Sequence, residues 1–461
     1  MARHRFEYAS QLPVSAAHAF AWHDRPGAFD RLNPPWDPVT VVQRSDGIRD
    51  GAQVTIRVPV GPFGVRWHLE HRGWIEGRVF EDVQRSGPFR HWHHVHAFEP
   101  VADDACRLVD QIDFTPPLGP LLVPMTRSKL ERLFPYRHRV TAGDLAAHAR
   151  FADRPRLTVG ISGASGLLGD ALVHYLSTGG HRVKRLVRRP ARHDAEIAWS
   201  VDGGLADPAA LAGVDAIVHL AGENIAGGRW TDDRKKRIRD SRVDGTRALA
   251  ESLARSATPP AGLIVASAVG YYGDRGAETL TETSASGDNF LAAVCRAWEE
   301  AAAPAREAGI RVVHARFGVI LSPRGGALPK MLAPARLGVS AQVGSGEQFV
   351  SWIGLDDAVT ALGFALLNPA IEGVVNLTAP TPVTNRDFAR TLAKTLKRPA
   401  LGRLPAVVAR AALGEMADEL LLASARVEPA ALTQAGYDFR DPDLATALAH
   451  MLGRPLPPAP A

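Results

Sequence analysis

Cysteine is nearly absent. Cys106 and Cys295 are the only two in 461 residues, far apart and outside any CxxC spacing, so neither a disulfide framework nor a zinc knuckle can be assembled. Both read as reduced, buried thiols. No stretch approaches the roughly 18 consecutive apolar residues that a membrane span needs. The opening residues, Met1-Ala2-Arg3-His4-Arg5-Phe6-Glu7, lack the apolar core of a secretory signal, and a cytoplasmic location is expected. An excess of either charge is missing too: 54 lysines and arginines against 49 aspartates and glutamates leave +5, too little over this length to imply nucleic acid. The densest charged run, 232–240, mixes both signs at helical spacing and reads as a solvated helix face rather than a phosphate-binding patch. No internal repeat is present.

What remains is an ordinary globular composition, 46% hydrophobic and 22% charged, in a chain too long for one hydrophobic core. Eleven of the 17 histidines and five of the nine tryptophans precede residue 150, whereas the later sequence is rich in alanine, glycine and leucine. Two unlike domains follow, joined in the polar, proline-containing stretch 151–156, with the boundary near 153. The last residues, 451–461, are dense in proline and are expected to form a disordered tail.

From 157 onward, apolar β-type runs (157–161, 183–187, 216–220, 263–266 and 312–315) alternate with amphipathic stretches such as 242–253. Continuous rather than alternating apolar runs belong to strands buried on both faces, hence to a parallel sheet of α/β type. Directly after the first run stands Gly160-Ile161-Ser162-Gly163-Ala164-Ser165-Gly166-Leu167-Leu168-Gly169, then a helix-compatible segment. Gly163 permits a tight turn, Gly166 lets backbone amides approach a pyrophosphate, and Gly169 allows the helix to pack closely on the strand. Within that cradle Gly163, Ser165, Gly166, Leu167, Leu168 and Gly169 are the candidate cofactor-binding residues. The second run ends in Arg188-Arg189, where an NAD-preferring site usually places an acid for the ribose hydroxyls. Guanidinium groups there favour the 2′-phosphate of NADP over NAD. The alternative is that they simply face solvent.

Several segments together resemble the extended short-chain dehydrogenase/reductase superfamily, and more narrowly its atypical branch called the epimerase family. They are the 163–169 turn, Val218-His219-Leu220-Ala221-Gly222, Ser267-Ala268-Val269-Gly270-Tyr271-Tyr272-Gly273 and Trp352-Ile353-Gly354-Leu355-Asp356-Asp357. The resemblance runs from about 157 to 450. It implies a Rossmann-like doubly wound parallel sheet over 153–400 and a small DUF1731-like segment over 401–450. It also adds His219, Leu220, Ala221 and Gly222 to the cofactor-binding set.

The superfamily's usual acid–base pair is a YxxxK, in which lysine lowers the phenol's pKa and tyrosine exchanges the proton with substrate. No YxxxK occurs anywhere in this chain. Arg242 stands where many relatives carry asparagine, and Ala268 falls where the catalytic serine belongs, with Ser267 one place off. Tyr272 and Ser267 are the nearest substitute catalytic candidates, though a tyrosine packing against the nicotinamide is equally compatible. Glu282 and Glu299 are the carboxylates near this region, and Arg316, Lys330 and Gln348 lie in segments that build the substrate side in extended relatives; the alternative for each is surface charge or helix-end stabilisation. Trp352 reads as packing, and Asp356-Asp357 as a helix start.

The first 152 residues open with a strand near 6–10 and a helix over 15–23 capped by Ser15. Strands follow at 53–58, 65–71, 92–98 and 106–114, and a long helix around 128–150 closes the section. This order resembles the START-like, or SRPBCC, α+β helix-grip fold, in which a curved antiparallel sheet wraps a helix over an apolar cavity. Trp67, Trp74, Trp92 and Phe98 are its candidate walls, and a hydrophobic small molecule its candidate ligand. Within His91-Trp92-His93-His94-Val95-His96, strand alternation places His94 and His96 on one face. With no acidic or cysteine partner at a telling spacing, the expectation is ordinary strand histidines and no metal.

Two functions fit these residues. One is an NADP(H)-dependent oxidoreductase or epimerase-like enzyme acting on an unidentified small molecule. The other is a noncatalytic NADP(H)-dependent sensor whose first domain holds a hydrophobic ligand.

Overall fold

The computed structural model describes residues 2–60 and 63–458. The chain divides into two compact units: the residues up to Pro155, with His174–Gly180 and His450–Pro455, and the rest of the described chain.

In the first unit a seven-stranded antiparallel sheet runs in the order β1-β7-β6-β5-β4-β3-β2. Its strands are β1 (His4–Leu12), β2 (Thr40–Arg44), β3 (Gln53–Val60), β4 (Phe63–Ile75), β5 (Val79–Ser86), β6 (His91–Ala102) and β7 (Ala105–Thr115). Helix α1 (Ala16–Asp24) begins where Ser15 accepts the His18 amide, as its sequence indicates. Helix α2 (Val123–Ala149) starts five residues before the segment read from the sequence. Its Leu130, Phe134, His138, Thr141 and Leu145 recur at three- and four-residue spacing and are buried. Leu130 and Phe134 join Phe6, Ile56, Leu69, Trp92, Ile112 and Phe114 in one core between helix and sheet. Along β6 burial alternates strictly up to Phe98, so Trp92, His94, His96 and Phe98 all point inward.

In the second unit eight strands form one sheet in the order β11-β10-β9-β8-β12-β13-β14-β15. They are β8 (Thr158–Ser162), β9 (Arg182–Val187), β10 (Glu196–Ser200), β11 (Gly204–Leu205), β12 (Ala216–His219), β13 (Gly262–Ala268), β14 (Arg311–Phe317) and β15 (Gly373–Leu377). Only the short β11 pairs antiparallel; the other ladders are parallel. The connections carry helices α3 (Leu167–Thr178), α4 (Asp232–Ala254), α5 (Phe290–Glu300) and α6 (Leu355–Leu367). This is the doubly wound Rossmann arrangement. The strand order reverses at β8, between β9 and β12, and in open parallel sheets ligands bind at that switch point beyond the carboxyl ends of the strands.

The charged run 232–240 opens α4 as a largely exposed face, with Ile238 buried beneath it. The C-terminal segment adds Arg426–Val427 as a strand parallel to Thr279–Leu280. Two expectations need correction. Met451 ends a helix and both it and Leu452 are buried, so a tail starting at 451 begins too early; residues 454–458 carry no regular element, and 459–461 lie outside the described residues. Asp356 and Asp357 do stand at the start of α6, in its first turn, but not as its cap, which is Gly354 with no side-chain bond. Asp357 is instead buried and accepts from the amides of Arg440 (2.9 Å) and Asp441 (3.0 Å), which ties down the C-terminal segment.

Candidate functional site

Gly163 sits at φ +68°, a region L-residues avoid, and a Cβ there would come within 2.9 Å of the Leu220 carbonyl. The turn therefore needs glycine both for its backbone and to lie against the loop after β12. A Cβ on Gly169 would meet the Gly163 oxygen at 2.3 Å, so the first turn of α3 presses directly on the loop. The Gly166 amide closes the turn onto the Gly163 oxygen at 2.9 Å. Ser165 and Gly166 are exposed, Leu167 and Leu168 half-buried. The first-turn amides of a helix have no intrahelical acceptor and carry its positive pole, so this opening attracts anions.

Under the turn, Ser162 Oγ lies 2.7 Å from His219 Nδ1 and accepts the Leu220 and Ala221 amides at 3.1 and 3.3 Å. His219 is fully buried, edge-on to Trp199 with ring centres 5.3 Å apart, and burial pushes its pKa down to about 4, so the ring is neutral. The imidazole predicted among the cofactor contacts is thus part of the floor. What this strip offers a cofactor is the backbone of Leu220, Ala221 and the exposed Gly222.

The two arginines after β9 part company. Arg189 donates to both Glu196 oxygens at 2.7 and 2.6 Å, and those bonds, with the Arg192 amide, hold the carboxyl at about 2. Arg188 is exposed, and among the described residues no hydrogen bond or ion pair holds its side chain. Reading both as a clamp on a 2′-phosphate therefore fails for Arg189, whose charge is already matched. Arg185, overlooked in the sequence, reaches from β9 to the Ala164 oxygen at 3.2 Å and brings a cation beside the glycine turn. Its signal was an arginine within a strand of the parallel sheet, next to the glycine turn's own strand.

At the carboxyl ends of β13 and β14 a chain of polar contacts is closed off from solvent. Ser267 donates to Glu299 at 2.7 Å; Arg316 grips Glu299 with two bonds of 2.8 Å and reaches the Tyr272 hydroxyl at 3.0 Å; Tyr272 donates to Asn376 at 2.7 Å. Tyr272 has no accessible surface and Ser267 is 3% exposed. Burial raises the phenol's pKa, against the lowering pull of Arg316 and Asn376. Neither hydroxyl faces an open cleft, which removes the geometric ground for reading them as proton donors. Tyr271, beside them, is half-buried under the Arg316 guanidinium, 3.3 Å from its ring centre. Helix α5, where a YxxxK would lie, contributes Glu299 instead. Glu282 accepts the Asn376 and Ala431 amides at 3.0 and 3.1 Å, and Gln348 donates to the Val343 and Leu421 carbonyls. Lys330 lies near the surface, 3.4 Å from the Ala226 oxygen. Trp352 is fully buried, donating to the Thr381 carbonyl. Cys106 and Cys295 are buried, and burial pushes both thiols up to about 11.

The first unit contains a cavity of about 800 Å³ walled by Trp67, Phe80, Phe89, Trp92, Leu130 and Phe134, with His71, Asp82, His94 and His96 also on its surface. Trp74 and Phe98, expected among the walls, pack instead with Phe20 in a core that shares Phe80 with the cavity wall.

The sequence profile of the NAD dependent epimerase/dehydratase family matches residues 159–377, a domain of unknown function (DUF1731) matches 404–451, and another (DUF8410) matches 59–145. An epimerase family protein of Mycobacterium tuberculosis is 45% identical over 297 residues, 64% of this chain and 98% of that protein. The chain belongs to the NAD dependent epimerase/dehydratase family. The epimerase family protein SDR39U1 of Homo sapiens is 35% identical over 294 residues, 62% of this chain and 97% of its own. The crystal structure of human SDR39U1 with NADPH superposes at TM-score 0.60 with 34% identity, covering 64% of this chain and 99% of that one. The likeness to a nucleoside-diphosphate sugar epimerase from Corynebacterium glutamicum spans both units of this epimerase-family chain. It has TM-score 0.81 and 36% identity, and covers 97% of this chain and 90% of that chain. No helix of the described chain is long and apolar enough to cross a membrane.

Proposed function

We propose that this protein binds NADP(H) over the glycine turn and uses it on a small-molecule substrate, as an oxidoreductase or epimerase-like member of its family. The observation that carries the reading is the anion-ready turn, Gly163 to Gly169, with the unpaired Arg188 at the end of the neighbouring strand. The backbone of 165–168 takes the pyrophosphate, Arg188 the 2′-phosphate, and the 220–222 strip the adjoining ribose. The NADPH in the structure of human SDR39U1 supports the same preference over NAD. Bound, the nucleotide supplies or accepts a hydride; this chain's part is to hold it and to position the substrate. We read the first unit as a START-like helix-grip domain that holds an apolar small molecule, on the support of its antiparallel sheet, long closing helix and aromatic-walled cavity.

A second reading, a noncatalytic NADP(H)-dependent sensor, is favoured by the missing YxxxK and by the closed network around Tyr272 and Ser267. Titration with NADPH and NADH, followed by a redox screen, tests both. NADPH should bind at least about 10-fold more tightly than NADH, and Arg188→Ala should erase the difference. Absence of binding by either nucleotide defeats both readings; binding with no turnover of any compound in the panel favours the sensor.

A further inference from the structure

The histidine run of β6 lacks an acidic partner nearby in sequence, but the sheet supplies two. Asp82 on β5 is registered opposite His94, and Asp110 on β7 opposite His96. His94, His96 and Asp110 are buried and Asp82 is half-buried. Asp82, His94 and His96 all line the cavity.

Close contacts with two carboxylates orient the rings. Asp110 Oδ1 lies 2.8 Å from His94 Nε2 and 2.7 Å from His96 Nδ1, while its other oxygen takes His138 Nε2 at 2.5 Å. A carboxylate accepts, so Asp110 takes the N–H of His94 and of His138 and faces the Nδ1 side of His96. That leaves His94 Nδ1 and His96 Nε2 on the other side, 3.7 and 3.1 Å from Asp82 Oδ2. Asp82 Oδ1 in turn lies 2.7 Å from His71 Nδ1. One ligand atom from each of Asp82, His94 and His96 lies within 4.8 Å of the other two. A carboxylate bonded to one nitrogen of a histidine, so that the other aims its lone pair at a common point, is the support that metal-binding histidines ordinarily have. Two imidazoles and one carboxylate, with remaining positions open to a cavity, suit zinc, iron(II) or manganese(II) rather than calcium or magnesium.

We propose that Asp82, His94 and His96 bind one divalent first-row transition-metal ion on the cavity face of the N-terminal sheet, with Asp110 as the positioning carboxylate. Arg137 lines the same cavity, but Asp82 and Asp110 bring two negative charges against its one, so a net negative charge faces the ion and offsets part of its own. The site is independent of the nucleotide-binding turn, so its failure leaves the proposed function standing, and the reverse.

Cobalt(II), added to the full chain after dialysis against chelator, is the probe. One equivalent should bind with visible d–d absorption, and zinc should displace it. His94→Ala and Asp82→Asn should each abolish the band. Asp110→Asn should weaken binding by about 10- to 100-fold, the usual effect of losing a supporting carboxylate. His93→Ala, on the opposite face, should change nothing. Because a core variant could simply fail to fold, crystals of the unmodified chain soaked in zinc provide the second measurement. An anomalous peak among the three side chains upholds the site. No d–d band and no such peak, or cobalt binding untouched in a folded His94→Ala protein, overturns it.

Discussion

Glu299 and Arg316 form a two-pronged ion pair, both contacts 2.8 Å, that ties helix α5 to strand β14 where this superfamily usually keeps its tyrosine and lysine. The pair is nearly dry, Arg316 being 3% and Glu299 12% exposed in their side chains. A guanidinium in that setting needs its full set of acceptors, and the Tyr272 hydroxyl is one of them. The tyrosine is therefore bound to the scaffold by that buried charge.

Tyr272→Phe should lower stability by about 1–3 kcal/mol, because Asn376 and Arg316 each lose a buried partner, and should leave NADPH affinity unchanged. Glu299→Gln, which strands the arginine, should cost more, about 3–5 kcal/mol. Denaturant unfolding beside nucleotide titration measures both effects. A Tyr272→Phe protein of normal stability that loses turnover would return the hydroxyl to the reaction.

Gly169→Ala puts a methyl 2.3 Å from the Gly163 oxygen, with backbone rather than a flexible side chain in its way. The loop must move, and NADPH affinity should fall by about 100-fold, the scale expected when a positioning contact shifts by an ångström. Fluorescence titration reads this directly. Unchanged affinity would place the pyrophosphate elsewhere.

Glu196→Gln releases Arg189 from its bidentate partner and removes a negative charge beside this strand end. NADPH binding should tighten by a few-fold, roughly the worth of one exposed ion pair, with NADH affinity unaffected. Equal changes for both nucleotides would show that the 2′-phosphate does not lie at this strand end.

His219 gives the nucleotide-binding unit an acid sensitivity of known sign. Its folded pKa, about 4, lies below the usual 6.5, so the folded chain resists the proton. The stability it confers is whole above pH 6.5 and drains away as the pH falls toward 4, by about 3 kcal/mol in total. His219→Asn, which keeps a polar atom near the Nδ1 position, should flatten urea midpoints across that interval relative to the parent. A slope identical in both proteins would remove His219 as its source.

The glycine turn was legible because every part of it is local: strand, turn and helix follow one another within twenty residues, and the turn's requirements exclude other residue types. The buried runs of β12, β13 and β14 were legible for the same kind of reason, since a strand covered on both faces writes its burial into consecutive positions. Their alternation with helices pointed to a parallel sheet, while the order of the strands within it was set only by the fold.

What the sequence determined by itself was the set of local backbone conformations and which faces turn inward, down to His94 and His96 sharing one side of β6. The tertiary structure alone decided which partners those faces meet. It set Glu196 against Arg189, closed Tyr272 inside an arginine's grip, and brought Asp82 and Asp110 from flanking strands to a pair of histidines. Periodicity is a property of neighbours along the chain, whereas charge pairing and ligand convergence depend on register between strands. That register is fixed only when the whole sheet packs.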